Sequence, residues 1–150
     1  MEEMQIKALD WGEVERVHAA RALVVAAFDK PERYGTERVA QEVSPANEPF
    51  YRSFFVAIKE DRVLGVAGVK AADWASNTHV LYLSAVAKEF RGKGIGRALV
   101  QARLDWLHAR FPGGRVLVST AKPARFKKLG FRVVTGSRKE GRWLMLRESA

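Results

Sequence analysis

Arg91, Gly92, Lys93, Gly94, Ile95 and Gly96 stand together as R-G-K-G-I-G, between an apolar run from Val80 to Ala87 and a helical pattern from Arg97 to Phe111. A strand that passes through a glycine loop into a helix N-terminus gathers several main-chain N–H groups, and such a set can hold a phosphate. Gly94 and Gly96 lack a Cβ, so they can take positive φ and let an anion approach the main chain. The spacing narrows the choice of anion. A P-loop needs G-x-x-x-x-G-K-[ST], but Gly92 is followed at that separation by Arg97 and Ala98, so the Lys and hydroxyl that serve a nucleotide and its metal are missing. A dinucleotide fingerprint opens a βαβ unit with an acidic residue about 20 residues on, whereas this loop follows a strand past mid-chain.

The elements that position the loop follow from periodicity and punctuation. A short strand is expected at Gln5 to Ala8. Asp10 then caps a helix in which Val14, Val17, Leu23, Val24 and Phe28 recur at mostly helical spacing, with Pro31 helping to end it. A shorter helix is expected around Thr36 to Val43, with Pro45 and Pro49 blocking its continuation. Ser53 to Lys59 and Arg62 to Lys70 read as a hairpin turning at Glu60-Asp61, with Val, Phe and Ile supplying strand propensity. Thr78 to Ala87 is the strand feeding the loop. In the next helix Ile95, Leu99, Ala102 and Trp106 fall on one face, and Arg97, Gln101, Asp105 and His108 on the other. Pro112-Gly113-Gly114 stops it before a strand at Arg115 to Thr120, a short helix at Pro123 to Leu129, and a terminal hairpin of Phe131 to Thr135 with Arg142 to Leu146. No repeat or linker divides the chain, so residues 1–150 are expected to form one α/β domain of the α+β kind. Its order is β-α-α-β-β-β-α-β-α-β-β, a mixed central sheet flanked by helices.

The stretch V-A-K-E-F-R-G-K-G-I-G-R-A-L-V at 86–100 contains R-x-x-G-x-G and resembles the acyl-CoA pyrophosphate loop of the GNAT superfamily of N-acetyltransferases. K-K-L-G-F at Lys127 to Phe131 resembles the segment that closes the family's last helix and opens the next strand. The element order is also similar to the GNAT fold, whose sheet is mostly antiparallel, and the resemblance is firmest from about Val80 to Phe131. It implies acetyl-CoA as cosubstrate, its pyrophosphate held by the backbone of Arg91 to Gly96 and its pantetheine arm paired with the main chain of Ala85 and Val86. The strand carrying them would splay from Val116 to Ser119, leaving a slot for the thioester, and no metal would be needed. Lys93, Arg97 and Arg125 are candidates to meet the ribose phosphate.

Two proton transfers remain, one from the incoming ammonium and one to the departing sulfur. Family members often use a Glu or an ordered water on the central strand for the first, where this chain has Tyr82, with His79 and Ser84 expected on the same strand face. His79 has the most suitable ordinary pKa for a base, and Tyr82 could order a water. Each also fits a plain structural role. For the second transfer many members place a Tyr five residues before the Phe of the G-F pair. Phe126 stands there, among the CoA-contacting candidates but without a proton to give.

Composition sets the outer bounds. A chain of 150 residues with 47% hydrophobic content can core one domain. No apolar stretch approaches the roughly 20 residues that span a bilayer, and Met1 to Gln5 is acidic rather than a basic leader, so a cytoplasmic protein without a membrane partner is expected. Zero cysteines exclude disulfides, thiolate metal sites and a Cys nucleophile, and three histidines argue against a histidine-rich metal site. The net charge of +9 attracts polyanions, among which CoA suffices. Three functions compete. The first is an N-acetyltransferase acting on a primary amine of a small molecule or protein. The second, motivated by Phe126, is an acyl-CoA-binding sensor or partner domain that has lost catalysis. Nucleic-acid binding is third, because the positive residues are spread along the chain without a recognition motif. The acceptor loops, Pro31 to Arg52 and Ala71 to Asn77, carry no decodable signature, and a homodimer is left open.

Overall fold

A computed structural model of the chain describes residues 4–45 and 50–148, so Pro49, expected to help stop the second helix, lies outside the described residues. In chain order the elements are β1 (Gln5–Ala8), α1 (Val14–Phe28), α2 (Thr36–Glu42), β2 (Arg52–Lys59), β3 (Arg62–Ala71), β4 (Thr78–Val86), α3 (Ile95–Arg110), β5 (Arg115–Thr120), α4 (Pro123–Lys127), β6 (Arg132–Val133) and β7 (Trp143–Glu148). A single 3-10 turn, Lys88–Phe90, links β4 to the glycine loop. The sheet runs β1-β2-β3-β4-β5-β7-β6 and is antiparallel throughout except where β4 meets β5. Order and pairing agree with the expected architecture.

Alternation along the strands supplies two apolar faces, and each is covered by helix. Phe55, Ala57, Leu81, Val116 and Val118 pack with Leu99, Leu104 and Leu107 of α3 on one side. Phe54, Val56 and Val66 pack with Val17 and Val24 of α1 and Val39 of α2 on the other. Each such side chain contributes roughly 1.5–3 kcal/mol when fully buried, so both helical layers are held by the same sheet. The β2–β3 hairpin turns at Glu60 and Asp61, both at positive φ (51° and 63°), which matches the mirror-image turn that right-twisted strands require.

Three local expectations are corrected. Asp10 does not cap α1: its Oδ1 accepts the Gly12 N–H at 2.9 Å, and the helix begins after Glu13 without a side-chain cap. The buried face of α3 is Ile95, Leu99, Val100, Arg103, Leu104 and Leu107, while Ala102 and Trp106 are only half-buried. The third concerns β4. His79, Tyr82 and Ser84 do not share a face, because side chains alternate with period two and residues three apart point to opposite sides. His79 lies against Phe111 at the end of α3, the rings tilted with centres 4.7 Å apart, whereas Tyr82 packs with the α1 and α2 layer.

Candidate active site

The glycine loop and the start of α3 form one open main-chain surface. Gly92 and Gly94 sit at φ 79° and 84°, and a Cβ built on either would meet nothing within 4 Å. Gly94 is also the N-cap of α3 and offers no side-chain acceptor to the helix. The first N–H groups of a 16-residue helix therefore face outward with the positive end of its dipole. Lys93 and Arg97 are exposed beside them, Lys93 with its ammonium 5.5 Å from the Phe90 ring centre. Ile95 instead anchors the first turn in the core at 4% exposure, and Gly96 lies over Val86. Arg125 is exposed on α4, a separate element packed against β6 and β7. The cradle thus has the geometry of an anion site.

Beside it the sheet opens. β4 and β5 pair only from Thr78–Arg115 to Leu81–Val118, so Tyr82 to Val86 have no β5 partner. Over the same stretch β5 continues to pair with β7, as far as Thr120 with Trp143. Antiparallel partners alternate between bonded and unbonded pairs. Since the Ala87 N–H donates to the Leu64 carbonyl at 2.8 Å, the neighbouring Val86 groups turn away from β3 and toward the opening. Arg91 reaches back and donates from Nε to the Val86 carbonyl at 3.0 Å, which ties the loop to the strand end. By the same alternation Ala85, opposite Val66, directs its main-chain groups to β3. Between these pairs lies a bulge: Leu83 and Ser84 oppose the single residue Ala67, and Leu83 takes φ 48°.

The three catalytic candidates are dispersed. Ser84 is exposed at the bulge. His79 is 3% exposed and held at both nitrogens. Asn77 donates its amide to the Pro112 carbonyl, so its Oδ1 accepts from His79 Nε2 at 2.9 Å, and Nδ1 is left to accept the Tyr51 hydroxyl at 2.6 Å. Burial lowers the His79 pKa, which disfavours the charged ring. Tyr82 is half-buried, its hydroxyl enclosed without a hydrogen-bond partner. Burial pushes its pKa well above the ordinary Tyr range; Arg52 lowers it less, and Glu42 and Tyr51 add smaller upward pushes. Phe126 is half-buried, its ring edge-on to Phe131 at 5.3 Å.

Two residues near the site left little trace in the sequence. Arg103 is 1% exposed in the middle of α3 and donates to the carbonyls of Leu99 at 3.1 Å and Gly68 at 2.9 Å, next to the β4 bulge. Burial lowers its pKa to about 9, which still leaves it charged at neutral pH. A lone Arg at the middle of a Leu99–Leu107 stripe was the available signal. Glu42 ends α2 with one carboxylate oxygen buried and unpartnered; nothing in its neighbourhood of sequence marks it. A cavity of about 280 Å³ beside His79, Asp105 and His108 lies toward the far end of α3 from the cradle.

The profile of the acetyltransferase (GNAT) family matches residues 17–131. No curated protein matches the chain. Among solved structures, Escherichia coli ElaA is similar with a TM-score of 0.80 at 18% identity, covering 97% of this chain and 100% of that one. The ribosomal-protein-S18-alanine N-acetyltransferase of Escherichia coli has a TM-score of 0.74 at 18% identity, with 99% and 96% covered. The PaiA N-acetyltransferase of Thermoplasma acidophilum, solved in complex with coenzyme A, has a TM-score of 0.68 at 15% identity, with 98% and 99% covered. At these identities the likeness is one of fold.

Proposed function

We propose, from the premise that this chain belongs to the acetyltransferase (GNAT) family, that it is a cytoplasmic enzyme transferring an acetyl group from acetyl-CoA to a primary amine by direct attack. One observation carries the reading: an uncapped helix N-terminus with two left-handed glycines stands beside the opening of β4 and β5. Two of the similar structures are described as N-acetyltransferases, one of them with coenzyme A, which supports nitrogen as the acceptor atom.

The residues fit such a cosubstrate. Acetyl-CoA supplies an activated thioester. Arg91 to Gly96 would hold the pyrophosphate on main-chain N–H groups, with Lys93 and Arg97 as nearby countercharges and Arg125 a more distant one. Val86 would offer its N–H to the pantetheine arm, the carbonyl already being held by Arg91. Ala85, its main chain turned to β3, would line the slot rather than pair across it. The bulge at Leu83 and Ser84 would free a main-chain N–H for the oxygen on which charge develops. Tyr82 keeps its proton and would act as a hydrogen-bonding group rather than a base. Phe126 would pack at the thioester end. Because a thiol pKa near 8.5 makes thiolate a tolerable leaving group, a missing acid worth about 10² to 10⁴ in rate leaves positioning and oxyanion stabilisation in place.

A catalytically silent CoA-binding domain is the second reading, favoured by Phe126. Two measurements test the pair. CoA should raise the melting temperature, since a ligand at about 100 times its Kd adds about 2.7 kcal/mol to the folded state. Gly94→Glu should abolish the shift, and a folded variant with unchanged CoA affinity overturns the loop assignment. Thiol release from acetyl-CoA across a panel of primary amines then separates enzyme from silent binder.

A further inference from the structure

One row of residues crosses six strands in register: Arg52 on β2, Lys70 on β3, Val80 on β4, Leu117 on β5, Leu146 on β7 and Arg132 on β6. Directly paired residues share a sheet face, and this row lies on the face of Tyr82, opposite α3. The α1 and α2 layer draws its strand residues from β2, β3 and β4. Among the described residues Val80, Leu117, Leu146 and the nearby Leu144 belong to neither apolar cluster, and each keeps part of its surface exposed. The row is thus three aliphatic side chains with two cations at one end and one at the other. Its flanks are as one-sided. Arg115 to Glu148 hold ten Lys and Arg against two Glu, so +8 of the chain's +9 falls on this stretch. Arg115 donates to Thr78 Oγ1 at 3.1 Å and Arg142 to the Ser119 carbonyl at 2.7 Å, one on either side of Leu117. At the Lys70 end the exposed rings of Phe50 and Trp74 line a cavity of about 260 Å³ with Val80. Two exposed acids stand beside the row, Asp73 in that cavity and Glu148 at 3.7 Å from Arg132.

An apolar strip with a charged rim has the composition of an interface. Charge complementarity selects its occupant. A second copy of this chain would set like charge against like. A nucleic acid would meet aliphatic side chains over the middle of the row, where it carries charge throughout. A polypeptide with acids at its ends and apolar residues between them matches every position. From Lys70 to Arg132 the row covers four strand spacings, roughly 19 Å at about 4.8 Å each, which about six residues of extended chain would span. We propose that this row docks an acidic, aliphatic polypeptide segment, and that the amine to be acetylated is carried on that polypeptide. The row lies one residue short of the last β4–β5 pair, Leu81–Val118, so the segment would cross the foot of the opening. The inference rests on the acetyl-transfer reading and deepens it by choosing a polypeptide over a free small amine.

The test follows, by fluorescence anisotropy, the binding of a labelled, end-blocked peptide D-D-V-L-K-L-V-D-D to the full chain saturated with CoA. Its comparators are D-D-S-S-K-S-S-D-D, R-R-V-L-K-L-V-R-R and a short oligo-dT. The first peptide should bind about tenfold more tightly than any of them. Lys70→Glu and Arg132→Glu should each weaken it about 3- to 10-fold, as reversal of an exposed charge contact does. The double variant should instead gain affinity for the arginine-ended peptide, which a merely damaged fold would not do. Leu117→Ser should weaken the first peptide without favouring another. An unchanged CoA-induced melting shift marks each variant as folded, and Arg132→Glu, on the exposed edge strand, keeps the test open if Leu117→Ser is not. Equal binding of the serine peptide, tighter binding of the oligonucleotide, or unchanged affinity in both charge variants overturns the docking surface. With acetyl-CoA, thiol release driven by the peptide lysine should exceed that with Nα-acetyl-lysine amide about tenfold, and Arg132→Glu should remove the excess. Equal rates overturn the polypeptide acceptor. Failure of acetyl transfer itself is distinct, because it appears as no thiol release with any amine while the order of peptide affinities holds.

Discussion

His79 is held at both nitrogens, by the Tyr51 hydroxyl on one and the Asn77 amide oxygen on the other, while burial disfavours its charged form. Its folded pKa is lowered from 6.5, so between that lowered value and 6.5 the unfolded chain binds more protons than the folded one. Stability therefore rises with pH through this window and is lost as pH falls below about 6.5. Thermal melting from pH 8 to pH 5 should show that loss, and His79→Gln should be less stable at pH 8 but flatter across the window. An equally steep profile in the variant would assign the pH dependence to other groups. The residue scale also shows what the sequence disclosed about the site. The glycine loop was legible because a main-chain anion site needs positive φ, and glycine records that need in the sequence. Arg103 was not, since a guanidinium gains its meaning from partners that only folding supplies. His79 and Tyr82 part because three positions along a strand reverse the side, whereas the expectation set them on one face.

Helix α3 can present its N-terminus next to the end of β4 only because β3 has a glycine beneath it. A Cβ at Gly65 would lie 3.0 Å from both Ile95 Cγ2 and Leu99 Cδ1 and 3.3 Å from the Ala85 carbonyl oxygen. Gly65→Val should lift the first turn of the helix away from the sheet, lowering stability by about 1–3 kcal/mol and reducing the CoA-induced melting shift. Denaturant unfolding and CoA titration on the same variant check this. A destabilised variant with an intact CoA affinity would mean that the loop moves with the helix as a unit. The elements themselves were largely legible, because the Glu60–Asp61 turn, the Pro112-Gly113-Gly114 stop and the apolar periodicities act locally. The bulge in β4 was not: no glycine marks Leu83, and a register shift is a property of β3 and β4 together. The buried stripe of α3 runs one residue on from the expected one, through Arg103 and Leu107 in place of Ala102 and Trp106, because a charged Arg103 hides its place in the stripe.

At the scale of the molecule, +9 of net charge and the exposed Lys93 and Arg97 beside the cradle should draw CoA in from a distance. The Debye length shrinks from about 10 Å at 0.1 M salt to about 3 Å at 1 M, so the Kd for CoA should rise several-fold over that range in isothermal titration. A flat response would leave binding to the main-chain N–H groups alone. Membership of the family, whose profile matches residues 17–131, was legible from two short motifs in the right order. The sheet holds a last consequence. Its β1–β4 and β5–β7 halves are stitched by only four residue pairs, from Thr78–Arg115 to Leu81–Val118. The sheet is therefore one strand short along half of its central seam, and an extended guest lying there would complete the architecture as well as react. Amide exchange at Val86 should slow when CoA is present while that of Leu81 stays the same, and each turnover would unlace and relace the middle of the protein.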